Sequence, residues 1–167
     1  MIFETKRMLI RILSDHDIDA FYDMVGDPDV MKFIKPVLSY TESKNELKRF
    51  IQYSKDSTKE FNIWAVTDKQ IDEMIGLCGY YLNEFKEYEI AYRLRKTFWK
   101  KGFGTEMLQG LLSYLQNVIY RDSLVAYVSK ENEASIALLE KRMLRCENDK
   151  ENALNYEYKY ILTNDQR

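Results

Sequence analysis

Between residues 6 and 13, Met8, Ile10 and Ile12 alternate with Arg7 and Arg11, and Leu9 breaks the alternation. A period of two puts one face of an extended chain in a core, so a first strand is predicted there. The period then lengthens. Ser14 with Asp17 three residues on reads as a capping-box-like helix start. Ile18, Phe21 and Val25 follow at helical spacing, and Gly26-Asp27-Pro28 should stop that helix. Ser39 and Glu42 open a second helix, with Leu47, Phe50 and Ile51 on its apolar face and Lys44, Glu46 and Lys48 elsewhere.

Residues 61–67, 74–82 and 88–95 read as three strands joined by turns at 68–70 and 83–86, an antiparallel meander. The middle one is nearly all apolar, as a central strand covered on both faces should be. Gly102-Phe103-Gly104 then opens a long helix with Met107, Leu108, Leu111, Leu112 and Leu115 on one stripe. A strand follows at 124–128, and a short helix at 132–141 turns Ile136, Leu138 and Leu139 inward. At 155–162 tyrosines alternate with polar residues, which predicts a last strand. The order is β-α-α-β-β-β-α-β-α-β, a mixed α/β (α+β) domain on one sheet. With no repeat, linker or low-complexity tract in 167 residues, positions 1–167 are expected to form one domain.

Composition narrows the function classes. Apolar residues make 46% of the chain and charged ones 31%, which excludes a disordered or collagen-like chain. The longest nearly apolar run, 74–82, is too short to span a bilayer, so no membrane role is expected. Residues 4–11 mix acids and bases, and no secretory leader is expected. Two cysteines, Cys78 and Cys146, are too few for a disulfide scaffold and fit a reducing cytoplasm, with both as thiols. One histidine, His16, excludes a multi-histidine metal site and a histidine-based triad, and no metal is expected. A formal net charge of −2 gives no sign of a nucleic-acid partner.

Against that charge, residues 93–105 stand out. Arg93, Arg95, Lys96, Lys100 and Lys101 crowd there with no acid among them, where a strand ends, a glycine-flanked turn follows and a helix begins. The first N–H groups of a helix lack internal partners and lie at the positive end of its dipole. Gly102 and Gly104 remove the Cβ atoms that would keep a phosphate away. The segment therefore reads either as a pyrophosphate cradle or as a glycine-started helix beside a solvated basic patch. It is not a nucleotide P-loop, since no G-x-x-x-x-G-K-S/T occurs. It is not a dinucleotide fingerprint either, since Met107 takes the third glycine's place in G-x-G-x-x-G.

The stretch resembles the acetyl-coenzyme A motif of the GNAT N-acetyltransferase superfamily, Q/R-x-x-G-x-G/A. Glu89-Ile90-Ala91-Tyr92 before it and Thr105-Glu106 after it resemble the branch of the ribosomal-protein N-terminal (alanine/serine) acetyltransferases. So do Arg7-Met8-Leu9-Ile10-Arg11, Gly26-Asp27-Pro28-Asp29-Val30-Met31, Met74-Ile75-Gly76, and Glu131-Asn132-Glu133-Ala134-Ser135 followed by Leu139-Glu140-Lys141. The likeness covers nearly the whole chain. Some positions depart from it: Trp99 replaces the usual Gln or Arg, Lys100 a glycine, Lys96 a proline, and Met143-Leu144 a Gly-Phe pair.

The resemblance implies a mostly antiparallel GNAT-like sheet flanked by helices, and transfer of the acetyl group of acetyl-coenzyme A to a primary amine of a peptide N-terminus or a small molecule. It places backbone groups of Tyr92 and Leu94 along the pantetheine arm, and Lys101, Gly102, Gly104 and Thr105 at the pyrophosphate. Lys96 and Lys100 add charge for the coenzyme phosphates. Asn132 would bond the pantetheine arm, although its spacing to Ser135 also fits a plain helix cap. Glu89 is the candidate base, with Glu157 as competitor; the other reading of Glu89 is a strand-end carboxylate paired with an arginine. Leu139 fills the place of a tyrosine acid common in the superfamily, which leaves Ser135 near the leaving sulfur. The alternative function is a catalytically silent acyl-coenzyme A sensor or interaction domain. A monomer and a homodimer fit equally well.

Overall fold

The computed structural model describes residues 1–121, 123–146 and 156–163. Ser14 and Asp17 form the expected capping box, and a 3-10 turn at Asp15–Asp17 runs into α1 (Ile18–Val25). Asp17 also takes both arms of Arg11, at 2.7 and 2.9 Å, which fixes the helix on the strand before it. The box of Ser39 and Glu42 likewise starts α3 (Tyr40–Tyr53). Between them lies α2 (Pro28–Met31), which the sequence reading missed. Pro28 does not only stop α1. It opens α2, with Asp27 accepting from the N–H groups of Asp29 and Val30. The later helices are α4 (Phe103–Asn117) and α5 (Glu133–Leu139).

Among the described residues eight strands make one sheet: β1 (Phe3–Glu4), β2 (Met8–Arg11), β3 (Phe61–Asp68), β4 (Glu73–Leu82), β5 (Tyr88–Leu94), β6 (Ser123–Ser129), β7 (Leu144–Arg145) and β8 (Glu157–Thr163). Their spatial order is β1-β2-β3-β4-β5-β6-β8-β7, antiparallel throughout except where β6 lies parallel to β5. The meander β3-β4-β5 is as expected. Two-residue β1 and β7 are too short to show a period and were not expected; Leu144 lies in the latter. Position 155 of the expected last strand falls outside the described residues.

Each face of the sheet is covered. Trp64, Val66, Ile75 and Cys78 meet the α4 stripe Met107, Leu108, Leu111, Leu112 and Leu115 on one side. Ile63, Ala65 and Leu77 meet Phe21, Met24 and Val25 of α1 and Leu47 of α3 on the other. This double cover is why β3 and β4 read as continuous apolar runs. Gly76 permits the tight β4–β5 contact, since a Cβ there would stand 2.2 Å from the Arg93 carbonyl oxygen. Among the described residues no helix is long and apolar enough to cross a membrane.

Candidate active site

The one parallel join in the sheet is short. Glu89 pairs with Val125, and no further β5–β6 pair forms among the described residues. Beyond it the two strands splay, so residues 90–94 and 126–129 face each other across a wedge with edge peptide groups left over from the ladder. The wedge continues as a cleft of about 350 Å³ lined from both sides of the sheet. Phe50, Phe61, Leu77, Tyr81, Ala91 and Arg93 line it on the α1–α3 side, and Tyr92, Asn132, Ser135 and Leu139 on the α4–α5 side.

Glu89 stands at the apex of this wedge. Its cross-strand partner on β4 is Tyr81, whose phenol favours the charged carboxylate, and Asn83 Nδ2 donates to Oε2 at 3.2 Å. Burial pushes the Glu89 pKa above the usual carboxylate range. The Tyr81 and Asn83 side chains oppose this, and the charges of Glu157 and Glu87 add to it. No arginine pairs with Glu89 among the described residues. Glu157, on β8, lines the same cleft. Glu87 is held apart by Lys159 at 2.7 Å and by the Tyr127 hydroxyl at 2.6 Å.

Across the sheet, Asn132 does cap α5, accepting from the Ser135 N–H at 3.2 Å. Burial pushes the Tyr92 phenol up to about 12. The Ser135 side chain acts on that phenol and lowers its pKa against this, a proximity the sequence did not disclose because it joins a strand to a distant helix. Thus Glu89, Tyr92, Asn132 and Ser135 meet in one cleft, with the carboxylate facing one side of the sheet and the hydroxyl pair the other.

The remaining expected residues lie outside the cleft, on the segment that leads from β5 into α4. The Leu94 carbonyl accepts from the Trp99 indole at 3.0 Å, so Trp99 pins the strand end. Lys100 and Gly102 both have left-handed backbones, with φ of 59° and 80°. The first is the position where the resemblance led to a glycine being expected and lysine stands instead. Gly102 gives α4 no side-chain cap, so its first-turn N–H groups stay open as anion donors. Gly104 has a packing reason as well, since a Cβ there would lie 3.2 Å from the Leu138 side chain of α5. Thr105 is half-buried in the first turn and Lys101 is exposed. The basic run does not act as one patch, because Lys96 is ion-paired with Asp29 of α2. Open donors at the start of α4 and unpaired edges in the wedge suit a ligand with a phosphate at one end and amides along its length. Among the described residues no group of three or more His, Cys, Asp or Glu could hold a metal.

The N-terminal strands hold this turn from behind. Glu106 accepts from Thr5 Oγ1 at 2.7 Å, from the Arg7 N–H at 2.8 Å and from Arg7 Nε at 2.6 Å. Arg7 Nη1 donates to the Lys101 carbonyl at 2.9 Å, and its guanidinium lies 4.1 Å over the Phe103 ring.

Residues 7–142 match the family model described as the acetyltransferase (GNAT) domain. An uncharacterized N-acetyltransferase, p20, of Bacillus licheniformis is 30% identical over 139 residues, which cover 81% of this chain and 77% of that one. A GNAT-family acetyltransferase from Bacillus anthracis superposes with a TM-score of 0.80 at 22% identity, over 98% of both chains. RimL, a ribosomal-protein α-N-acetyltransferase in complex with coenzyme A, gives a TM-score of 0.75 at 15% identity, over 97% of both chains.

Proposed function

The chain belongs to the GNAT acetyltransferase family, and we propose that residues 1–167 act as one cytoplasmic domain that transfers the acetyl group of acetyl-coenzyme A to a primary amine. The acceptor is a peptide or protein N-terminus or a small molecule. The observation that carries this reading is Glu89: a carboxyl with a raised pKa, at the apex of the wedge, with its face open to the cleft. A domain that only binds an acyl donor needs no such proton acceptor.

In this reading the bound donor supplies a thioester carbonyl. The amine forms the new amide bond, the carbon–sulfur bond breaks and the thiolate leaves. Glu89 takes the proton that the attacking neutral amine loses as it forms the amide, directly or through water, and its raised pKa makes it a stronger base than an ordinary carboxylate. The hydroxyls of Tyr92 and Ser135 face the opposite side, where they donate toward the leaving sulfur. Their pairing offers a proton donor despite Leu139 in the usual tyrosine position. Backbone groups of Tyr92 and Leu94 and the Asn132 side chain hold the arm of the donor. The turn of Lys101, Gly102, Gly104 and Thr105 holds its pyrophosphate, with Lys100 adding charge, and Lys96 contributes only when its pair with Asp29 opens.

The test is release of free thiol from acetyl-coenzyme A, with acetylation of the amine followed by mass spectrometry, over peptides, polyamines, aminoglycosides and amino acids. Thiol release that depends on the amine is expected. Absence of release with all four classes, from folded protein that binds the coenzyme, overturns the reading.

A further inference from the structure

Glu89, Ala91 and Arg93 share the α1–α3 face of β5, opposite Tyr81, Gly79 and Leu77 of β4. Gly79 and Ala91 bring little bulk, so the middle of this row is shallow and its two ends are chemically distinct. One end is the Glu89 carboxylate. The other is Arg93, a guanidinium set beside Met31 and Leu77, both buried.

Arg93 lacks a partner of its own strength. Its Nε is sealed from solvent with no hydrogen bond, and Nη1 reaches only the Met31 thioether at 3.2 Å, a weak acceptor. The acid whose field it feels is Glu46, but that carboxylate already accepts from Lys35 at 2.6 Å and from Arg49 at 2.8 and 3.0 Å. Three cations therefore share one carboxylate at this end of the cleft. Burial lowers the Arg93 pKa to about 10, which still leaves it charged at neutral pH. A half-buried guanidinium with an unpaired Nε and a thioether as its one side-chain acceptor is costly unless an anion meets its accessible edge, and Arg93 lines the cleft from which one would come.

We propose that Arg93 receives a carboxylate of the acceptor, so that the preferred substrates are amines carrying a carboxylate several bonds away from the amino group. The amine meets Glu89 and the carboxylate meets the guanidinium fork, which suits a planar two-oxygen anion. Four residues of strand put about 13 Å of backbone between the two ends. The side chains span part of that, which favours a chain between the two groups over an α-amino acid. A polyamine would bring a second cation to Arg93 and is disfavoured. The amine half of this inference rests on the acetyl-transfer reading; the carboxylate half rests on binding alone.

The matched probes are 5-aminopentanoate and its neutral amide, 5-aminopentanamide. Calorimetric titration of the wild-type protein should show the carboxylate binding roughly tenfold tighter or more. Arg93→Gln, checked for fold by circular dichroism, should erase the difference. Should that variant not fold, Arg93→Lys, which keeps the charge but not the fork, should narrow it. Equal binding of the two probes by the wild type, or no binding of either, overturns the inference, as does a preference that survives in a folded Arg93→Gln. Thiol release with the same two probes and spermidine separates the two readings. A carboxylate preference in binding with no turnover counts against acetyl transfer to these amines and leaves the Arg93 site. Turnover with equal kcat/KM for all three overturns the Arg93 site and leaves acetyl transfer.

Discussion

Glu89 and Val125 face each other at the one rung that joins β5 to β6 among the described residues, so the carboxylate with the raised pKa is also the residue at which the sheet begins to part. Strand geometry does two things there. It ends the ladder, which opens the wedge, and it turns the side chain of the last paired residue into the opening.

Glu89→Gln should lower kcat about a hundredfold or more while leaving coenzyme affinity unchanged, because a base acts in the transition state. The same variant should be more stable than wild type at alkaline pH. A raised folded-state pKa means the fold favours the protonated carboxyl. That contribution is complete below the ordinary glutamate range, about pH 4, and is lost as pH rises through the raised value. Glutamine cannot ionise, so the two proteins should melt together in acid and diverge above it. Thermal melts across pH check this, and a variant less stable than wild type at every pH counts against it.

Tyr92→Phe removes the hydroxyl beside Ser135 and should cost about tenfold or more in kcat with little change in KM. Ser135→Ala added to it should cost little more, since the two hydroxyls act as a pair. Fully additive losses in the double-mutant cycle would show that they act separately.

Lys100→Gly should stabilise the protein by about 1 kcal/mol, because a side chain at φ of 59° carries a penalty that glycine avoids. Lys100→Ala keeps the Cβ and should give none of this gain. Chemical denaturation of both variants provides the measurement, and equal shifts would remove backbone strain as the cause.

Arg7→Ala withdraws one partner from Glu106 and another from the Lys101 carbonyl, which loosens the turn ahead of α4. Coenzyme affinity should drop roughly three- to tenfold. Burial alone would raise the Glu106 pKa, but its bonds from Thr5 and Arg7 outweigh this and hold it low. Its stabilising contribution is therefore present above the ordinary carboxylate range and lost as pH falls through the lowered value. Without Arg7 the acid unfolding midpoint should move to higher pH.

Periodicity made much of this fold legible. The α4 stripe, the meander and the two capping boxes each leave a local pattern, and each is where the pattern put it. The wedge left none, because β6 is an ordinary apolar strand and its parting from β5 depends on how two strands distant in the chain are placed. Arg93 was hidden in a basic run with Arg95, Lys96, Lys100 and Lys101. The strand period assigns it instead to the face of Glu89 and Ala91, while Lys96 turns to Asp29. Gly104 was legible as a small residue at a helix start, but not as the seat for Leu138. Tyr92 was readable for its backbone only, since its hydroxyl meets a helix far along the chain.

Joined across its middle by one rung among the described residues, the sheet forms two panels, β1 to β5 on one side and β6, β8 and β7 on the other. The facing lips of the two panels carry idle peptide groups, which a ligand with its own amides can bridge as a substitute strand. Such a ligand would act as a keystone, and its binding should slow amide hydrogen exchange in residues 90–94 and 126–129 together, on both panels at once, rather than at the phosphate turn alone.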